Sequence, residues 1–305
     1  MLKYLLLSRI LTLNKIIHHM LIKIGWHQHS SLGSFQKNLE QALTSCHSLA
    51  DQGAKIAFLP ELCLNDYFAI REDISNFKFA ITIQDPAIQS FQKLAKDRNL
   101  FIFLPIFEKR APGVFHNSCL IISDQGKIMD LYRKMHIPDD PCFYEKYYFT
   151  PGDLGWRIVE IAGLKIGVLI CWDQWFPEAA RINAMRGAQL LYYPTAIAWD
   201  DNEPNEWYEE QTDSWRTILR SHSIANGCFT LAVNRVGQEE NLKFWGNSFL
   251  SSPTGKIETE LSTKPQLMVH PVETDKIEEQ RLAWPFFRDR RIDYYDDIKY
   301  RWLEN

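Results

Sequence analysis

The chain has 305 residues, of which 46% are hydrophobic and 13% aromatic, and this composition supplies a large buried core and excludes a disordered protein. Its formal net charge is -4, its isoelectric point is near 6.2, and no lysine- and arginine-rich run interrupts that balance. Since phosphate backbones are bound by positive surfaces, we expect no nucleic-acid partner.

The first nineteen residues, "MLKYLLLSRILTLNKIIHH", are apolar and basic. Lys3, Arg9 and Lys15 interrupt them too often for a membrane span, and no small-residue cleavage site of a signal peptide follows. We therefore interpret residues 1–19 as a leader or an upstream-start extension, with Met20 as the usual first residue. No membrane partner is expected.

From Leu21 onward, short apolar runs alternate with longer helical stretches, which predicts an α/β fold. Strands are predicted over residues 22–26, 55–60, 100–107, 119–123, 165–171, 189–194, 229–234 and 248–252. Helices are predicted over residues 34–51, 86–97, 177–186 and 205–226. No linker rich in proline, glycine or serine separates them, so residues 20–305 are predicted to form a single domain.

One short pattern occurs twice. "NSCLIISDQGKI" begins at Asn117 and "NSFLSSPTGKI" begins at Asn247, and each has a strand followed by a turn into Gly-Lys-Ile. Each copy therefore predicts a hairpin. A body of two sheets with one hairpin in each would explain the repetition, although so short a match also arises by chance.

The cysteines are scattered and form no C-x-x-C pair, which argues against a disulfide framework or a zinc ribbon. They are Cys46, Cys63, Cys119, Cys142, Cys171 and Cys228. A reducing, cytoplasmic location fits this usage best. His27 and His29 would share one face of a strand, but no H-E-x-x-H motif accompanies them, so ordinary packing is favoured and no metal site is predicted.

Three apolar runs lead into reactive polar residues: "IAFLPE" into Glu61, "IMDLYRK" into Lys134 and "LIC" into Cys171. Sites in α/β sheets gather beyond the carboxyl ends of strands, so these residues could converge. Singly, each has an ordinary explanation as a solvated carboxylate, a surface ammonium or a buried thiol. Together they form a set that can perform nucleophilic catalysis.

A cysteine nucleophile needs a base or a positive field, because its thiol is mostly protonated at neutral pH. Glu61 can supply the base and Lys134 the field. The same ammonium, with the backbone N–H after Cys171, could stabilise the oxyanion that forms when sulfur attacks an amide carbon. This chemistry requires no cofactor.

Several motifs carry a resemblance to a known family: "FLPELCLNDYF", "YRKMHIPDDP", "EKYYFTPGD", "GVLICWDQWFPEAAR", "YPTAI" and "FFRDRRIDYY". In this order they resemble the nitrilase superfamily from about Leu21 to the C-terminus. Within it the chain is most similar to the N-carbamoylputrescine amidohydrolases. That closer similarity depends on "CWDQWFPEAAR", on the "PDDP" and "YEKYYFTPGD" segments, and on "FFRDRRID".

The resemblance implies a four-layer α-β-β-α sandwich and a catalytic triad of Glu61, Lys134 and Cys171. It also implies a second active-site glutamate at Glu145, which would hold Lys134 and the attacking water. Members of the superfamily form dimers that stack two sandwiches, so the resemblance also implies a homo-oligomer built from dimers. The aromatic-rich tail "LAWPFFRDRRIDYYDDIKYRW" fits a buried role across that interface, or packing on its own subunit.

The fold and the triad do not determine the substrate, because they serve several reactions. In related carbamoylases, two arginines after the acidic residue of the cysteine motif pair with a substrate carboxylate; here Gln174 and Trp175 follow Asp173. This favours a small molecule without a carboxylate at that end. We assign Tyr67, Trp172, Asp173 and Gln174 to substrate binding, with Tyr67 and Trp172 as apolar walls.

A putrescine-like substrate ends in an ammonium, which acidic or aromatic side chains would bind. The acidic candidates are Asp139, Asp140, Asp200, Asp201, Glu203 and Glu206. The sequence therefore predicts a cofactor-free amidohydrolase that converts N-carbamoylputrescine to putrescine, carbon dioxide and ammonia. Another carbamoylase or aliphatic amidase of the superfamily is the alternative, and a catalytically silent binding protein is the alternative from another functional class.

Overall fold

The computed structural model describes residues 21–304, so the predicted leader over residues 1–19 lies outside the described part of the chain. The α-helices are α1 (Phe35–Asp51), α2 (Pro86–Arg98), α3 (Glu145–Tyr148), α4 (Pro177–Met185), α5 (Glu206–Asn226) and α6 (Asp275–Ala283). The four predicted helices are α1, α2, α4 and α5, and each lies within about one residue of its expected bounds. No helix among these residues is long and apolar enough to cross a membrane.

The strands form two six-stranded sheets and one three-stranded sheet. Their bounds are β1 (Leu21–Gln28), β2 (Ile56–Phe58), β3 (Phe101–Ala111), β4 (Val114–Ile122), β5 (Ile128–Arg133), β6 (Ile158–Ile161), β7 (Leu164–Val168), β8 (Leu190–Thr195), β9 (Ala198–Asp200), β10 (Phe229–Asn234), β11 (Val236–Glu239), β12 (Leu242–Trp245), β13 (Phe249–Ser251), β14 (Ile257–Glu260) and β15 (Gln266–Glu273).

The two large sheets repeat one plan. The first has the order β15-β1-β2-β3-β4-β5 and the second the order β14-β13-β10-β8-β7-β6. In each, three parallel strands have one antiparallel strand on one side and an antiparallel pair on the other. The antiparallel pairs β4-β5 and β13-β14 contain the two copies of the repeated sequence pattern. The predicted arrangement of one hairpin in each sheet is therefore confirmed.

The two large sheets pack against each other and are covered by helices outside. One apolar cluster joins Ile24 and Phe103 of the first sheet to Val168 of the second and to Trp215 of α5. A separate cluster joins the apolar faces of α1 and α2 to the opposite face of the first sheet. These layers form the expected α-β-β-α sandwich, in which burial of both sheet faces explains the nearly continuous apolar strands.

Helix ends follow local sequence signals. Ser34 caps α1 by accepting a hydrogen bond from the Lys37 amide, and Asp85 caps α2 just before its first residue, Pro86. Helix α5 ends where Gly227 adopts a left-handed conformation, with φ of 52°. Ser34 and Asp85 thus mark where helices begin and Gly227 marks where one ends, which explains why the predicted bounds were accurate.

The small third sheet was not predicted. It has the order β11-β12-β9, and its strands contain only three or four residues each. Strand β7 is also shorter than predicted, because it ends at Val168 and leaves Cys171 beyond the strand. The third sheet lies beside the carboxyl ends of the parallel strands and supplies Asp200 to the cavity described next.

Candidate active site

Cys171 opens a short 3-10 helix, Cys171–Trp175, three residues beyond strand β7. Its φ of 41° lies in the left-handed region, which residues other than glycine rarely adopt. The Ile170 amide donates to Asp173 Oδ2 at 2.9 Å and closes the turn. Such strain persists where surrounding contacts enforce it, as they do at many functional sites. The turn holds the Cys171 sulfur at a cavity wall.

Lys134 lies between two carboxylates. Its Nζ donates to Glu61 Oε1 at 2.8 Å and to Glu145 Oε2 at 2.6 Å, and all three side chains are buried. Glu61 lies three residues beyond β2, and Lys134 directly follows β5. The structure thus brings together three of the four residues predicted to be catalytic, and Cys171 interacts electrostatically with all of them.

The two glutamates differ in their free oxygens. Glu61 Oε1 accepts from Asn117 Nδ2 at 2.7 Å as well as from Lys134, whereas Glu61 Oε2 is buried and has no partner among residues 21–304. Both Glu145 oxygens are occupied, since Oε1 accepts from the Tyr67 hydroxyl at 2.8 Å and Oε2 from Lys134. Glu61 therefore has one oxygen that accepts no hydrogen bond within the described residues, whereas each Glu145 oxygen already accepts one.

The electrostatics of the site keep its thiol neutral at rest. Burial raises the pKa of Cys171 well above that of a free thiol, and the Glu61 carboxylate raises it further, against the opposing effect of Lys134. Burial also raises the pKa of Glu145 to about 7, although the Lys134 ammonium acts to lower it. For Lys134 itself, burial alone would lower the pKa, but Glu145 and Glu61 raise it overall, so the ammonium stays charged.

A cavity of about 590 Å³ opens from Cys171 toward the surface. Acidic residues line it, and no lysine or arginine is among its lining residues in the described chain. The acidic residues are Asp140, Glu145, Asp200, Glu203 and Glu210. The apolar walls include Phe143, Trp172, Ile197 and Trp207. The cavity therefore combines a buried nucleophile, an apolar passage and an acidic mouth.

The predicted substrate-binding residues fall into two groups. Trp172 and Gln174 line the cavity. Gln174 Oε1 accepts from Trp215 Nε1 at 2.9 Å, and its Nε2 has no partner among the described residues. Tyr67 and Asp173 are not lining residues. Tyr67 lies behind Glu145, so it does not form the predicted wall, and Asp173 is fully buried among hydrogen-bond donors and does not face the cavity.

Asp173 joins the lysine strand to the cysteine turn. Its Oδ1 accepts from the backbone amide and the Nδ1 of His136 at 3.0 and 2.7 Å. Its Oδ2 accepts from the Tyr132 hydroxyl at 2.7 Å and from the Ile170 amide. Tyr132 and His136 flank Lys134, and Ile170 precedes Cys171. This single buried carboxylate therefore fixes the segment of Lys134 against the segment of Cys171.

Of the acidic residues considered for an ammonium, Asp140, Asp200 and Glu203 line the cavity, whereas Asp139, Asp201 and Glu206 do not. Glu210 lines it but was not predicted, since it looks like an ordinary exposed residue of a long helix. Asn117, the partner of Glu61, was also missed as a site residue. The repeated Asn-Ser pattern marked its position, but nothing local linked it to a carboxylate 56 residues earlier.

Metal binding has no support in the described residues. Within residues 21–304, no group of three or more histidine, cysteine or acidic side chains is arranged to hold a metal ion. His27 and His29 are buried, and Ser45 Oγ lies 2.7 Å from His27 Nδ1, so that histidine is part of the packing beneath α1.

Comparisons with known proteins agree with this geometry. The family model described as carbon-nitrogen hydrolase matches residues 23–282. The chain is 41% identical over 256 residues to an N-carbamoylputrescine amidase of Arabidopsis thaliana, covering 80% of this chain and 84% of that protein. It is 36% identical over 283 residues to a citrullinase of Francisella tularensis, covering 91% and 98% of the two chains.

A solved structure gives the same result. The crystal structure of a carbon-nitrogen hydrolase from Helicobacter pylori superposes with a TM-score of 0.90 at 38% identity. The match covers 93% of this chain and all of that chain. The similarity therefore extends over both large sheets and over the segments that carry the cysteine, the lysine and the two glutamates.

Proposed function

Because the chain belongs to the carbon-nitrogen hydrolase family, we propose that it hydrolyses N-carbamoylputrescine to putrescine, carbon dioxide and ammonia. The observation that carries this proposal is the cavity, which leads from Cys171 to an acidic mouth and has no cation among its described lining residues. The chain is an amide-hydrolysing enzyme, and the cavity's charge is what identifies the class of amide.

The substrate has three parts that match three regions of the cavity. Its carbamoyl carbon would lie at Cys171, its four methylenes along Trp172 and Ile197, and its terminal ammonium near Glu203 and Glu210. A buried or half-buried ammonium requires compensating negative charge, which these carboxylates provide. A substrate with a carboxylate at this end would meet repulsion there, and within residues 21–304 no arginine or lysine lines the cavity to offset it.

In the proposed first half-reaction, Glu61 Oε2 accepts the thiol proton while the Cys171 sulfur attacks the carbamoyl carbon. Lys134 and the backbone N–H of Trp172 stabilise the negative charge on the carbonyl oxygen. One C–N bond then breaks, and the leaving nitrogen takes the proton from Glu61. This leaves a carbonyl group bound to sulfur and restores the Glu61 carboxylate. The order in which the diamine and ammonia leave does not alter this proton balance.

In the second half-reaction, Glu61 removes a proton from water as the water oxygen attacks the thioester carbon. The C–S bond breaks, and Cys171 recovers its proton from Glu61. If the diamine leaves first, the product is carbamic acid, which decomposes to carbon dioxide and ammonia. Glu145 takes no proton in this scheme. Through its hydrogen bond to Lys134 it keeps the ammonium aligned with the oxyanion and helps to position the water.

A substrate panel tests this function directly. The purified full chain is given N-carbamoylputrescine, citrulline, N-carbamoyl-β-alanine, an N-carbamoyl-D-amino acid and a simple nitrile, and kcat/KM is measured for each. Citrulline is the sharpest competitor, because it has the same ureido group but adds a carboxylate beside its distal ammonium. We expect N-carbamoylputrescine to have the highest kcat/KM, with Cys171→Ala as the inactive control. A higher value for citrulline would refute the proposed substrate.

The proposal includes a homo-oligomer built from dimers. The end of the chain supports it, because Ile292, Tyr294, Tyr300 and Trp302 are largely exposed in the single subunit. Exposed apolar side chains clustered in one segment mark a contact surface. Phe287 is an exception: the guanidinium groups of Arg181 and Arg281 each lie 5.1 Å from the centroid of its ring, so it packs on its own subunit.

A cytoplasmic location is also part of the proposal. All six cysteines of the chain are free, and five of them are buried. Buried thiols without disulfide partners suit a reducing compartment. Detection of the full chain in cell fractions, with a secreted and a cytosolic marker as references, tests this location. Recovery with the secreted marker would overturn it.

A further inference from the structure

Tyr67 connects the site to the small third sheet. Its hydroxyl donates to Glu145 Oε1 at 2.8 Å, and its backbone amide donates to Glu239 Oε2 at 2.6 Å. Glu239 ends strand β11, and its other oxygen lies 3.4 Å from Arg235 Nη2. Hydrogen bonds thus hold Tyr67 at its backbone and at its hydroxyl. The hydroxyl contacts Glu145, which takes part in the proposed mechanism.

We propose that Tyr67 is a positioning residue, which keeps Glu145 ionised and oriented so that Glu145 can hold Lys134 toward the reacting carbonyl. This inference rests on the role of Glu145 in the proposed function. It replaces the predicted role of Tyr67 as a wall for substrate, because the ring is 2% exposed and does not line the cavity.

Aromatic packing around the Tyr67 ring restricts the position of its hydroxyl. The Tyr67 ring centroid lies 5.5 Å from that of Phe143 and 5.7 Å from that of Phe244. With the backbone tied to Glu239, the side chain has little room to change rotamer. The hydroxyl is therefore already placed at Glu145 before substrate binds, so no side-chain entropy is lost in placing it during the reaction.

The charges around Glu145 explain why this donor matters. Lys134 faces it from the end of β5, Glu61 from beyond β2, and Cys171 from the turn after β7. Among the described residues, Lys134 and Tyr67 are the side chains that donate to Glu145, whereas burial and the Glu61 carboxylate both favour its protonated form and raise its pKa. Removing the Tyr67 hydroxyl leaves Oε1 unpaired, which raises the pKa of Glu145 further.

Protonation of Glu145 would affect the reaction through Lys134. A neutral carboxyl group accepts a weaker hydrogen bond than a carboxylate, so the Lys134 ammonium would bind mainly to Glu61. Glu61 would then be a poorer proton acceptor, and Lys134 would be less available to the oxyanion. Activity should therefore fall as Glu145 becomes protonated, and the acidic limb of the pH profile should follow its titration.

The test compares Tyr67→Phe with Tyr148→Phe. Tyr148 belongs to the same aromatic cluster and is 3% exposed, but its hydroxyl donates to the Arg71 carbonyl and does not contact the site. The pH dependence of kcat/KM is measured for both variants and for the wild-type chain. The pH dependence of Cys171 alkylation by iodoacetamide is measured in parallel, because it requires no substrate and senses the charge on Glu145.

In Tyr67→Phe we expect the acidic limb of kcat/KM to move up by about one pH unit, with about a tenfold loss on that limb. The matching step in the alkylation profile should shift by the same amount, and Tyr148→Phe should leave both midpoints in place. Partial unfolding lowers amplitudes but does not move a midpoint. Unchanged midpoints in Tyr67→Phe would overturn the inference, even if activity falls. If the chain does not hydrolyse N-carbamoylputrescine, the alkylation profile alone tests the role of Tyr67.

Discussion

Asn117 Nδ2 donates a 2.7 Å hydrogen bond to Glu61 Oε1, the same oxygen that accepts from Lys134. Both donors therefore act on one side of the carboxylate and leave Oε2 without a partner in the described residues. Oε2 is therefore the Glu61 oxygen that can accept a hydrogen bond from a neighbouring thiol. This asymmetry identifies Glu61, rather than Glu145, as the proposed base.

The first prediction compares the two glutamates. Glu61→Gln removes the proton acceptor, so acylation of Cys171 should stop and kcat should fall by at least about a thousandfold. Glu145→Gln keeps Glu61, so it should lower turnover but still form some acyl-enzyme. Rapid quench followed by intact-protein mass spectrometry reports the thioester in each variant. Abundant acyl-enzyme in Glu61→Gln with none in Glu145→Gln would reverse the two assignments.

The second prediction concerns the acidic mouth. The double variant Glu203→Gln/Glu210→Gln removes two charges that line the cavity, so KM for N-carbamoylputrescine should rise about tenfold while kcat changes little. The matched control is Glu206→Gln/Glu209→Gln, which removes two charges from α5 at positions that do not line the cavity. Discrimination against citrulline should weaken only in the first variant. Equal effects of both variants would contradict a local contact with the ammonium.

Sequence patterns predicted that Glu61, Lys134 and Cys171 could converge, because each closely follows an apolar strand. Strand β5 pairs antiparallel with β4 but runs in the same direction as β1, β2 and β3, so Lys134 lies at the same edge of the sheet as Glu61. The helices were predictable for a similar reason, since their limits are set by capping residues next to them in sequence, such as Ser34. Glu145 needed the family resemblance, because a short helix beside Lys146 gives no sign that its first residue is buried.

Other features depend on contacts that sequence spacing does not encode. Tyr67 reaches a glutamate 78 residues away, and Asp173 binds groups 37 to 41 residues earlier in the chain. Both lie in motifs near reactive residues, so proximity in sequence suggested substrate contact when their side chains in fact turn inward. Strands β9, β11 and β12 are too short to show a two-residue alternation.

The third prediction tests the role of Asp173. An asparagine has one acceptor oxygen, so Asp173→Asn should leave about two of the four donors to this side chain unpaired and lower the free energy of unfolding by about 3 kcal/mol. Urea unfolding at a fixed protein concentration measures this change. Asp139→Asn is the control, because Asp139 is exposed. Equal unfolding midpoints in the two variants would show that Asp173 does not join the two segments.

The fourth prediction follows from the raised pKa of the Cys171 thiol. Burial is the main cause, but the Glu61 carboxylate adds to it, so Glu61→Gln should lower that pKa even though it abolishes acylation. The midpoint of Cys171 alkylation by iodoacetamide should therefore move to lower pH in Glu61→Gln. Mass spectrometry of the labelled peptide separates Cys171 from the other cysteines. A midpoint that moves to higher pH would mean that Glu61 does not act on the thiol by its charge.

The last prediction assigns the exposed tail to the subunit interface. Beyond α6, Ile292, Tyr294, Tyr300 and Trp302 present apolar surface, and Trp302 is 84% exposed in the single subunit. Burial of such side chains against a second copy contributes about 25 cal/mol for each Å² of apolar area, so these side chains would stabilise the proposed dimer. A chain ending at Leu282 should therefore have a lower mass by light scattering than the full chain at the same concentration. Replacing Ile74, which is 78% exposed far from the tail in sequence, by serine is the control and should leave the mass unchanged. An unchanged oligomer after truncation would remove the tail from the interface.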